Sequence, residues 1–210
     1  ALRYSPQAGG NLARAILTTD TKKKTAYRKI RLGGKTVQLA GIAKGSGMIA
    51  PNMATMLAFI TTDADISPAL LRRSLSQSAA VTFNKVTVDN HTSTSDTAVV
   101  LASGLAGNTR ITRQGTDYQK FHQALWQICD DLARQIAADG EGATCAVTVR
   151  VTEAANPREA HQAVRAIVDS PLVRCAFFGA DPNWGRIVSA IGYSGARFNP
   201  DKLTCKVAGV

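Results

Sequence analysis

A long apolar stripe between residues 116 and 140 constrains the fold of this chain more than any other feature. Its members recur at spacings of four, three, four and four residues, which is the period of one face of an α-helix; they are Phe121, Leu125, Ile128, Leu132 and Ile136. A helix with one apolar face has to cover another apolar surface. We predict that Thr116 caps this helix, that Gly140 ends it, and that it forms one layer of a layered fold.

Helix and strand patterns alternate along the rest of the chain. The pattern predicts further helices over residues 11–17, 68–80 and 157–169, with Ser67 and Asn156 as caps, and another near Thr97. It predicts strands over residues 26–32, 36–40, 57–61, 85–89, 144–152 and 203–210, the first two joined as a hairpin by Gly33-Gly34. Because no Gly-rich turn follows a strand, the pattern favours a layered α/β or α+β fold and not a dinucleotide-binding one.

The charge of the chain is concentrated near its N-terminus. Of 25 basic and 15 acidic residues, which give a net charge of +10, residues 1–55 hold ten basic groups and one acid, Asp20. A basic face attracts nucleic acids and anionic metabolites. The segment lacks interleaved aromatic residues for base stacking, so we interpret it as a solvated basic segment and predict no nucleic-acid partner.

Hydropathy and cysteine spacing exclude several other classes. No apolar run approaches the roughly 18 residues of a membrane helix, so we expect no membrane partner. The four cysteines, Cys129, Cys145, Cys175 and Cys205, are far apart and form no CxxC pair. This spacing predicts a reduced, cytoplasmic protein without a metal site.

The most informative segment is residues 44–57, KGSGMIAPNMATML. Its glycines allow close approach of a ligand, and the small Ala54 leaves the peptide carbonyl before Thr55 unshielded. The Thr55 hydroxyl is therefore placed to attack that carbonyl, and hydrolysis of the resulting ester would free an N-terminal threonine. Its α-amine, with an ordinary pKa of about 7.7–8.0, then serves as base for its own hydroxyl. The alternative interpretation is that Thr55 simply begins a strand.

Several motifs in a fixed order resemble one family. They are LTTDT, KGSGMIAPNMATMLAFITTDA, TVDNHTSTSDTA, GEGAT and GADPNWGR, and they resemble the ornithine acetyltransferases, also called glutamate N-acetyltransferases or ArgJ proteins. The resemblance implies a precursor that cuts itself between Ala54 and Thr55. The freed Thr55 would then carry acetyl from N2-acetylornithine to glutamate as an ester. It also implies an α/β fold, a layered sandwich similar to that of the β-peptidyl aminopeptidases.

The resemblance further implies how the protein is assembled. Residues 1–54 correspond to the C-terminal part of an α chain and residues 55–210 to a truncated β chain, and the two fragments stay together, commonly in a heterotetramer. The family's oxyanion-hole pair and two further substrate contacts would lie outside residues 1–210, so we expect this piece alone to be weakly active at best. No cofactor or metal is implied; some members use acetyl-CoA as a co-substrate.

The resemblance assigns roles to four residues. Thr55 is the nucleophile and also contacts substrate, and Thr18 binds substrate, with Thr21 as the alternative if the register is shifted. Lys44 binds substrate, and its ammonium suits the α-carboxylate of ornithine or glutamate. Glu141 also binds substrate and suits the δ-ammonium of ornithine. Without the resemblance, Lys44 would be interpreted as a solvated lysine and Glu141 as a charged turn residue.

The activity and three groups of residues have alternative interpretations. A hydrolase with the same nucleophile, an aminopeptidase or amidase, would use water in place of glutamate. The hydroxyl-rich segment 89–96 around His91 is either a base cluster or, as we favour, a turn that caps the helix near Thr97. Segment 181–186 is either a carboxylate-binding loop or a tight turn before a helix. His122 and His161 have no partner at helical spacing for a metal site.

Overall fold

The computed structural model describes residues 7–50 and 56–207. The chain divides into two compact units, Ala1–Gly142 and Ala143–Val210. The predicted cleavage boundary between residues 54 and 55 does not coincide with the boundary between these units. Ala54 and Thr55 themselves lie outside the described residues.

A four-stranded sheet forms the centre of the first unit. Its strands are β1 (Lys24–Leu32), β2 (Lys35–Lys44), β3 (Leu57–Thr62) and β4 (Thr97–Ala102), in the order β1-β2-β3-β4. The first two pairings are antiparallel and the β3–β4 pairing is parallel. The predicted hairpin and the predicted strand at residues 57–61 are therefore confirmed.

The geometry of the β1–β2 turn requires glycine at both of its central positions. Leu32 pairs with Lys35, so Gly33 and Gly34 form a two-residue connection. Both have positive φ, 53° and 79°. Two-residue hairpins of the type that matches strand twist require positive φ at both central positions, which is a region that glycine enters at little cost.

The described residues of the first unit form three α-helices: α1 (Ala8–Ala15), α2 (Pro68–Val81) and α3 (Thr116–Ala138). The apolar stripe of α3 is confirmed, because all five of its predicted members are buried in one core with the sheet. The details of its ends differ: Gly115 occupies the cap position and Thr116 is the first helical residue, while Asp139 follows the last. Ser67 does occupy the cap position of α2, but its side chain accepts no capping hydrogen bond.

Helix α3 also covers the open edge of β1. The Gln135 side chain accepts a hydrogen bond from the Thr25 amide and donates one to the Thr25 carbonyl, both at 3.0 Å. One turn earlier, Asp131 pairs with Arg28 at 2.5 Å. An edge strand presents unpaired backbone groups that favour aggregation, and here side chains of the helix satisfy those of Thr25.

The prediction of a helix near Thr97 was wrong, because this segment is strand β4. It pairs in parallel with β3, Leu57 opposite Thr97 and Thr62 opposite Ala102. Its sequence TAVVLA is rich in residues that fit a pleated surface. The pairing with β3, which lies some 40 positions earlier in the sequence, overrides the local capping signal.

The prediction of a strand at residues 85–89 was also wrong. Residues Phe83–Lys85 form a short 3-10 turn, and the next residues run as a loop. The Val88 and Asp89 amides donate to the single carbonyl of Ile49, at 2.7 and 3.3 Å. The alternating apolar pattern arises because Val86 and Val88 pack against the core, although the segment runs as a loop.

Two further strand predictions were wrong, because neither segment has a partner strand among the described residues. Residues 144–152 alternate strongly, yet they form no strand and are mostly exposed. Of residues 203–210, those that the structure describes are likewise irregular. A strand needs a neighbour for its backbone hydrogen bonds, and the described residues supply none for either segment.

The second unit is helical in its described part. It contains α4 (Pro157–Asp169), α5 (Pro171–Phe178) and α6 (Trp184–Gly192), which pack around Ile167, Val173, Ala190 and Ile191. The predicted cap is confirmed, since the Asn156 side chain accepts from the Glu159 amide at 3.0 Å. The Glu159 carboxylate accepts a hydrogen bond from the Arg197 amide.

The sheet with its helical layer confirms the α/β fold class. Within the first unit, the sheet and helices α2 and α3 share one continuous core that includes Leu39, Ile60 and Leu125. Within the described residues, no helix has both the length and the apolar character needed to cross a bilayer.

We predict that Gly41→Ala destabilises the first unit. A Cβ at position 41 would lie 2.8 Å from Ile128 Cγ2 and 3.0 Å from Leu132 Cδ1, so α3 would have to move away from β2. Overpacking of this kind costs about 1–3 kcal/mol in free energy of unfolding, measurable by urea denaturation. Gly10→Ala is the matched control, because nothing lies within 4 Å of its Cβ and alanine favours a helix. Equal stability of the two variants would contradict the close packing of α3 on β2.

Candidate active site

A buried lysine between two aspartates anchors the region of the predicted site. Lys24, at the start of β1, is 1% exposed, and its ammonium lies 2.6 Å from Asp20 and 2.5 Å from Asp139. Most of the described basic residues before position 51 are exposed, as expected for a solvated segment, and Lys24 and Lys44 are the buried exceptions among them. A buried lysine is tolerated only when paired, and the pairing of Lys24 joins the segment before β1 to the end of α3. We call Lys24, Asp20 and Asp139 the Lys24 cluster.

The two carboxylates of the Lys24 cluster also bind backbone. Asp139 accepts from the Thr21 amide at 3.0 Å, from the Lys22 amide at 3.2 Å and from the Thr21 hydroxyl. Asp20 accepts from the Gly45 amide at 2.7 Å. The cluster therefore fixes residues 20–22 and the first residue after β2 in one arrangement.

Hydrogen bonding outweighs burial in setting the acidity of both carboxyls. Burial would raise the pKa of Asp139, but the hydrogen bonds from Lys24, Thr21 and the Lys22 amide lower that pKa to about 2. Burial likewise opposes ionisation of Asp20, yet Lys24 and the amides of Gly45 and Thr18 lower its pKa below the ordinary value. Both side chains thus stay charged at neutral pH.

The structure brings two of the predicted substrate-binding residues together. Lys44, the last residue of β2, donates a hydrogen bond from Nζ to Thr18 Oγ1 at 3.4 Å. Lys44 is 7% exposed, whereas Thr18 is exposed. A buried ammonium beside an exposed hydroxyl is suited to bind a carboxylate that arrives from solvent.

Thr21, the alternative to Thr18, is engaged elsewhere. Its hydroxyl and amide both donate to Asp139, so its side chain serves the Lys24 cluster. The geometry therefore favours Thr18 over Thr21 as the threonine beside Lys44.

Glu141 lies against the loop that follows Lys44. The Glu141 amide donates to the Ser46 carbonyl at 2.9 Å, and the Ser46 hydroxyl donates to the Asp139 carbonyl, also at 2.9 Å. The Glu141 side chain passes over Gly47, where a Cβ would overlap its Oε2 atom. The backbone thus places the third predicted substrate-binding residue beside the segment that leads to Thr55.

A second acidic residue fixes the same loop further along. Asp89 accepts from the Met48 amide at 2.5 Å and from the Ile49 amide at 3.0 Å. Segment 89–96 is thus a turn that binds the loop, but the prediction that it caps a helix near Thr97 was wrong. Its other end leads into β4 and not into a helix.

Asp96 stands at the other end of that turn, next to the residue that follows Thr55. Its Oδ1 accepts from the Met56 amide at 2.8 Å, while the Met56 carbonyl accepts from the Thr97 amide at 2.9 Å. Burial raises the pKa of Asp96, although the Met56 amide and the charge of Lys44 act in the opposite direction. Sequence reasoning had grouped Asp96 with hydroxyl-bearing turn residues and missed this contact.

A cavity of about 220 Å³ opens beside Asp96. Its described lining is mainly apolar and includes Ile49, Met56 and Phe83, and Asp96 is the ionisable side chain among the lining residues. Ala50 and Met56, which border the undescribed residues 51–55, both line it. The cavity therefore adjoins the two points at which the chain enters and leaves the segment containing Thr55.

The nucleophile and the cleavage site themselves stay predictions, because Ala54 and Thr55 lie outside the described residues. The roles of Thr18, Lys44 and Glu141 also stay predictions, although the structure positions all three around residues 44–50. The described residues contain no group of three metal-ligating side chains close together.

The other candidate residues have structural partners. His122 Nδ1 lies 3.0 Å from the Ser74 hydroxyl, and its ring stacks on Tyr118. His91 is exposed and its Nδ1 lies 2.8 Å from the Asp89 carbonyl. All four cysteines are free, and burial raises the pKa of Cys129 to about 12, so this thiol is not a nucleophile at neutral pH.

Segment 181–186 is a tight turn before α6. Asn183 caps that helix by accepting from the Arg186 amide at 3.2 Å, and its side-chain amide donates to Asp181 at 3.0 Å. The Arg186 guanidinium donates to the Leu172 carbonyl at 2.9 Å. These side chains therefore stabilise the second unit.

Comparison with known proteins identifies one family across the chain. The model of the ArgJ family matches residues 2–210. The arginine biosynthesis bifunctional protein ArgJ of Geobacillus kaustophilus is 54% identical over 196 residues, which are 93% of this chain and 48% of that protein. The protein of the same name from Symbiobacterium thermophilum is 50% identical over 203 residues, 97% of this chain and 50% of its own length. The chain thus spans about half the length of the curated relatives it matches.

A solved structure is also similar. The crystal structure of arginine biosynthesis bifunctional protein ArgJ from Bacillus halodurans matches with a TM-score of 0.62 and 52% sequence identity. The match covers 66% of this chain and 65% of that chain. This structural match agrees with the α/β fold that we expected for the chain.

We predict that Asp139 makes the stability of the first unit fall in acid. Its pKa is about 2 when folded against an ordinary value of 3.8, so its contribution is complete above about pH 5 and is lost as pH falls toward 2. Asp139→Asn should lower the free energy of unfolding near pH 7 and flatten its decline between pH 5 and pH 2. Urea denaturation at several pH values measures both. Asp117→Asn, which changes a half-buried carboxylate in the first turn of the same helix, should keep the wild-type slope; an equally flattened slope would contradict the assignment.

Proposed function

Because this chain belongs to the ArgJ family, we propose that the protein containing it is an acetyltransferase of arginine biosynthesis. It would move acetyl from N2-acetylornithine to glutamate through an ester on Thr55. The observation that carries the proposal in the structure is the buried Lys44 ammonium 3.4 Å from the Thr18 hydroxyl, at the start of the loop that leads to Thr55.

Three residues bind the amino acid substrate in this proposal. The Lys44 ammonium and the Thr18 hydroxyl together bind the α-carboxylate of ornithine, and later that of glutamate. The Glu141 carboxylate binds the δ-ammonium of ornithine. The Lys24 cluster does not touch substrate in this proposal. It holds residues 20–22 and Gly45 in place, which maintains the hydrogen-bond distance between Thr18 and Lys44.

The acetyl transfer takes place in two steps, and each proton released in a step is taken up in the same step. The Thr55 hydroxyl oxygen attacks the acetyl carbonyl, its proton passes through the Thr55 α-amine to the leaving nitrogen, and ornithine departs. The glutamate α-amine then attacks the acetyl ester, loses its proton to the same base, and leaves as N-acetylglutamate with the Thr55 hydroxyl restored. The α-amine becomes available when the Ala54–Thr55 bond is cut.

Acetyl-CoA is a second acetyl donor in this proposal. The relatives carry the word bifunctional in their names, and a thioester delivers acetyl to a threonine hydroxyl by the same attack. We further propose that fragments 1–54 and 55–210 remain associated after cleavage as parts of a heterotetramer in the cytoplasm, with no bound cofactor.

We predict that the full-length protein carrying this chain forms an acetyl ester on Thr55. Incubation with acetyl-labelled N2-acetylornithine, without glutamate, should add one labelled acetyl group to the fragment that begins at Thr55, as read by mass spectrometry. Addition of glutamate should move the label to N-acetylglutamate. Thr55→Ala should abolish both cleavage and labelling. Transfer without any ester on the fragment would overturn the proposal, and release of free acetate in place of N-acetylglutamate would favour the hydrolase.

We predict that Lys44→Gln weakens substrate binding in the same full-length protein. Loss of a hydrogen bond to a charged group costs about 1.5–3 kcal/mol, so KM for N2-acetylornithine should rise roughly 10- to 100-fold. Steady-state kinetics measures this. Lys35→Gln, an exposed lysine at the other end of β2, is the matched control with unchanged KM. An unchanged KM in Lys44→Gln would exclude the carboxylate-binding role.

A further inference from the structure

Ser46 binds the turn that carries Glu141 at two points. Its hydroxyl donates to the Asp139 carbonyl at 2.9 Å, and its own carbonyl accepts from the Glu141 amide, also at 2.9 Å. Ser46 is 3% exposed. A buried hydrogen bond of this kind is costly to leave unmade, because the carbonyl that loses its donor has no water to bond instead. One buried residue therefore fixes both the end of α3 and the residue that follows it by two positions.

The same serine lies two positions after Lys44. Lys44 ends β2, and the Gly45 amide between the two residues donates to Asp20 at 2.7 Å. The segment from Lys44 to Ser46 is therefore bound to the segment before β1 at one residue and to the end of α3 at the next. It connects the ammonium proposed for the α-carboxylate of ornithine with the carboxylate proposed for the δ-ammonium.

The place of the Glu141 carboxylate depends on the backbone of this turn. The Glu141 side chain is exposed, and it passes over Gly47, the residue that follows Ser46. The turn itself is held firmly on the other side of Ser46, because the Asp139 carboxylate is bound by Lys24. A loss of the Ser46 hydroxyl would therefore loosen the turn at the Asp139 carbonyl and leave the ion pair in place.

We propose that Ser46 is a positioning residue that sets where the Glu141 carboxylate lies relative to Lys44, and that this spacing selects an acetyl donor with a terminal ammonium. This rests on the proposed function. Ser46 does not touch substrate; it acts through the turn 139–141. The spacing matters for the donor alone, because glutamate carries no δ-ammonium for Glu141 to bind.

The proposal predicts a loss of activity that is specific to the donor. In the full-length protein, Ser46→Ala should lower kcat/KM for N2-acetylornithine roughly 2- to 10-fold, the usual effect of one hydrogen bond. The value for N2-acetylnorvaline, which has the same carbon chain without the terminal ammonium, should stay unchanged. The value for glutamate should also stay unchanged, because in a two-step transfer through an ester each kcat/KM reports only its own step.

A double variant tests whether Ser46 acts through Glu141. Glu141→Gln removes the charge that binds the ammonium, so it should lower the preference for N2-acetylornithine over N2-acetylnorvaline. In that background Ser46→Ala should cause no further loss, since residues that act through one another are not additive. Ser74→Ala is the matched control, because Ser74 is fully buried and its hydroxyl lies 3.0 Å from His122 Nδ1. It loses a comparable contact in the same unit and should change none of the three values.

The results separate this inference from the proposed function. A donor-specific loss in Ser46→Ala that disappears in the Glu141→Gln background supports the inference. No loss, an equal loss for all three compounds, or a loss that adds fully to that of Glu141→Gln overturns it and leaves Ser46 a structural residue. If the wild-type protein transfers no acetyl, or if Glu141→Gln keeps the full preference for N2-acetylornithine, the proposed function itself fails.

Discussion

The burial of one ammonium group between two carboxylates is the interaction on which the site depends. Lys24 is almost wholly removed from solvent and contacts Asp20 and Asp139. Breaking a buried ion pair by removing one partner is strongly destabilising, because the remaining charge has no compensation. Here the same carboxylates also bind the backbone at Thr21, Lys22 and Gly45. The same contacts therefore stabilise the first unit and fix the geometry of the site.

The register of β3 and β4 is the second constraint. A slip by one residue would turn every side chain of a strand to the opposite face, and it would also separate Asp96 from Met56. The core holds this register through residues such as Ala58 and Ile60 of β3 and Val100 of β4. The packing of the sheet therefore determines which carboxyl lies beside the residue that follows Thr55.

Local patterns predicted those elements whose signal lies within the element itself. The hairpin has its two glycines, α3 has its apolar stripe, and α4 has its Asn156 cap. Predictions failed where pairing with a distant segment determines whether a strand forms. Strand β4 exists because β3 pairs with it. Residues 144–152 alternate like a strand but have no partner strand in the described structure. Among the site residues, Thr18, Lys44 and Glu141 came from the family resemblance. Lys24 and Asp96 could not be found, since a lysine in a basic run and an aspartate in a polar turn carry no sign of burial.

Gly47 has a consequence for how this loop can change over evolutionary time. Any side chain there would meet the Glu141 carboxylate, which is anchored through its own backbone amide to Ser46. Because Glu141 is exposed and the overlapping atom is the far end of its side chain, a side chain at position 47 would displace the carboxylate while the backbone of Glu141 stays bound to Ser46. We therefore expect an exchange at position 47 to move the Glu141 carboxylate from its present place over the loop, so that the absence of one side chain fixes the location of another.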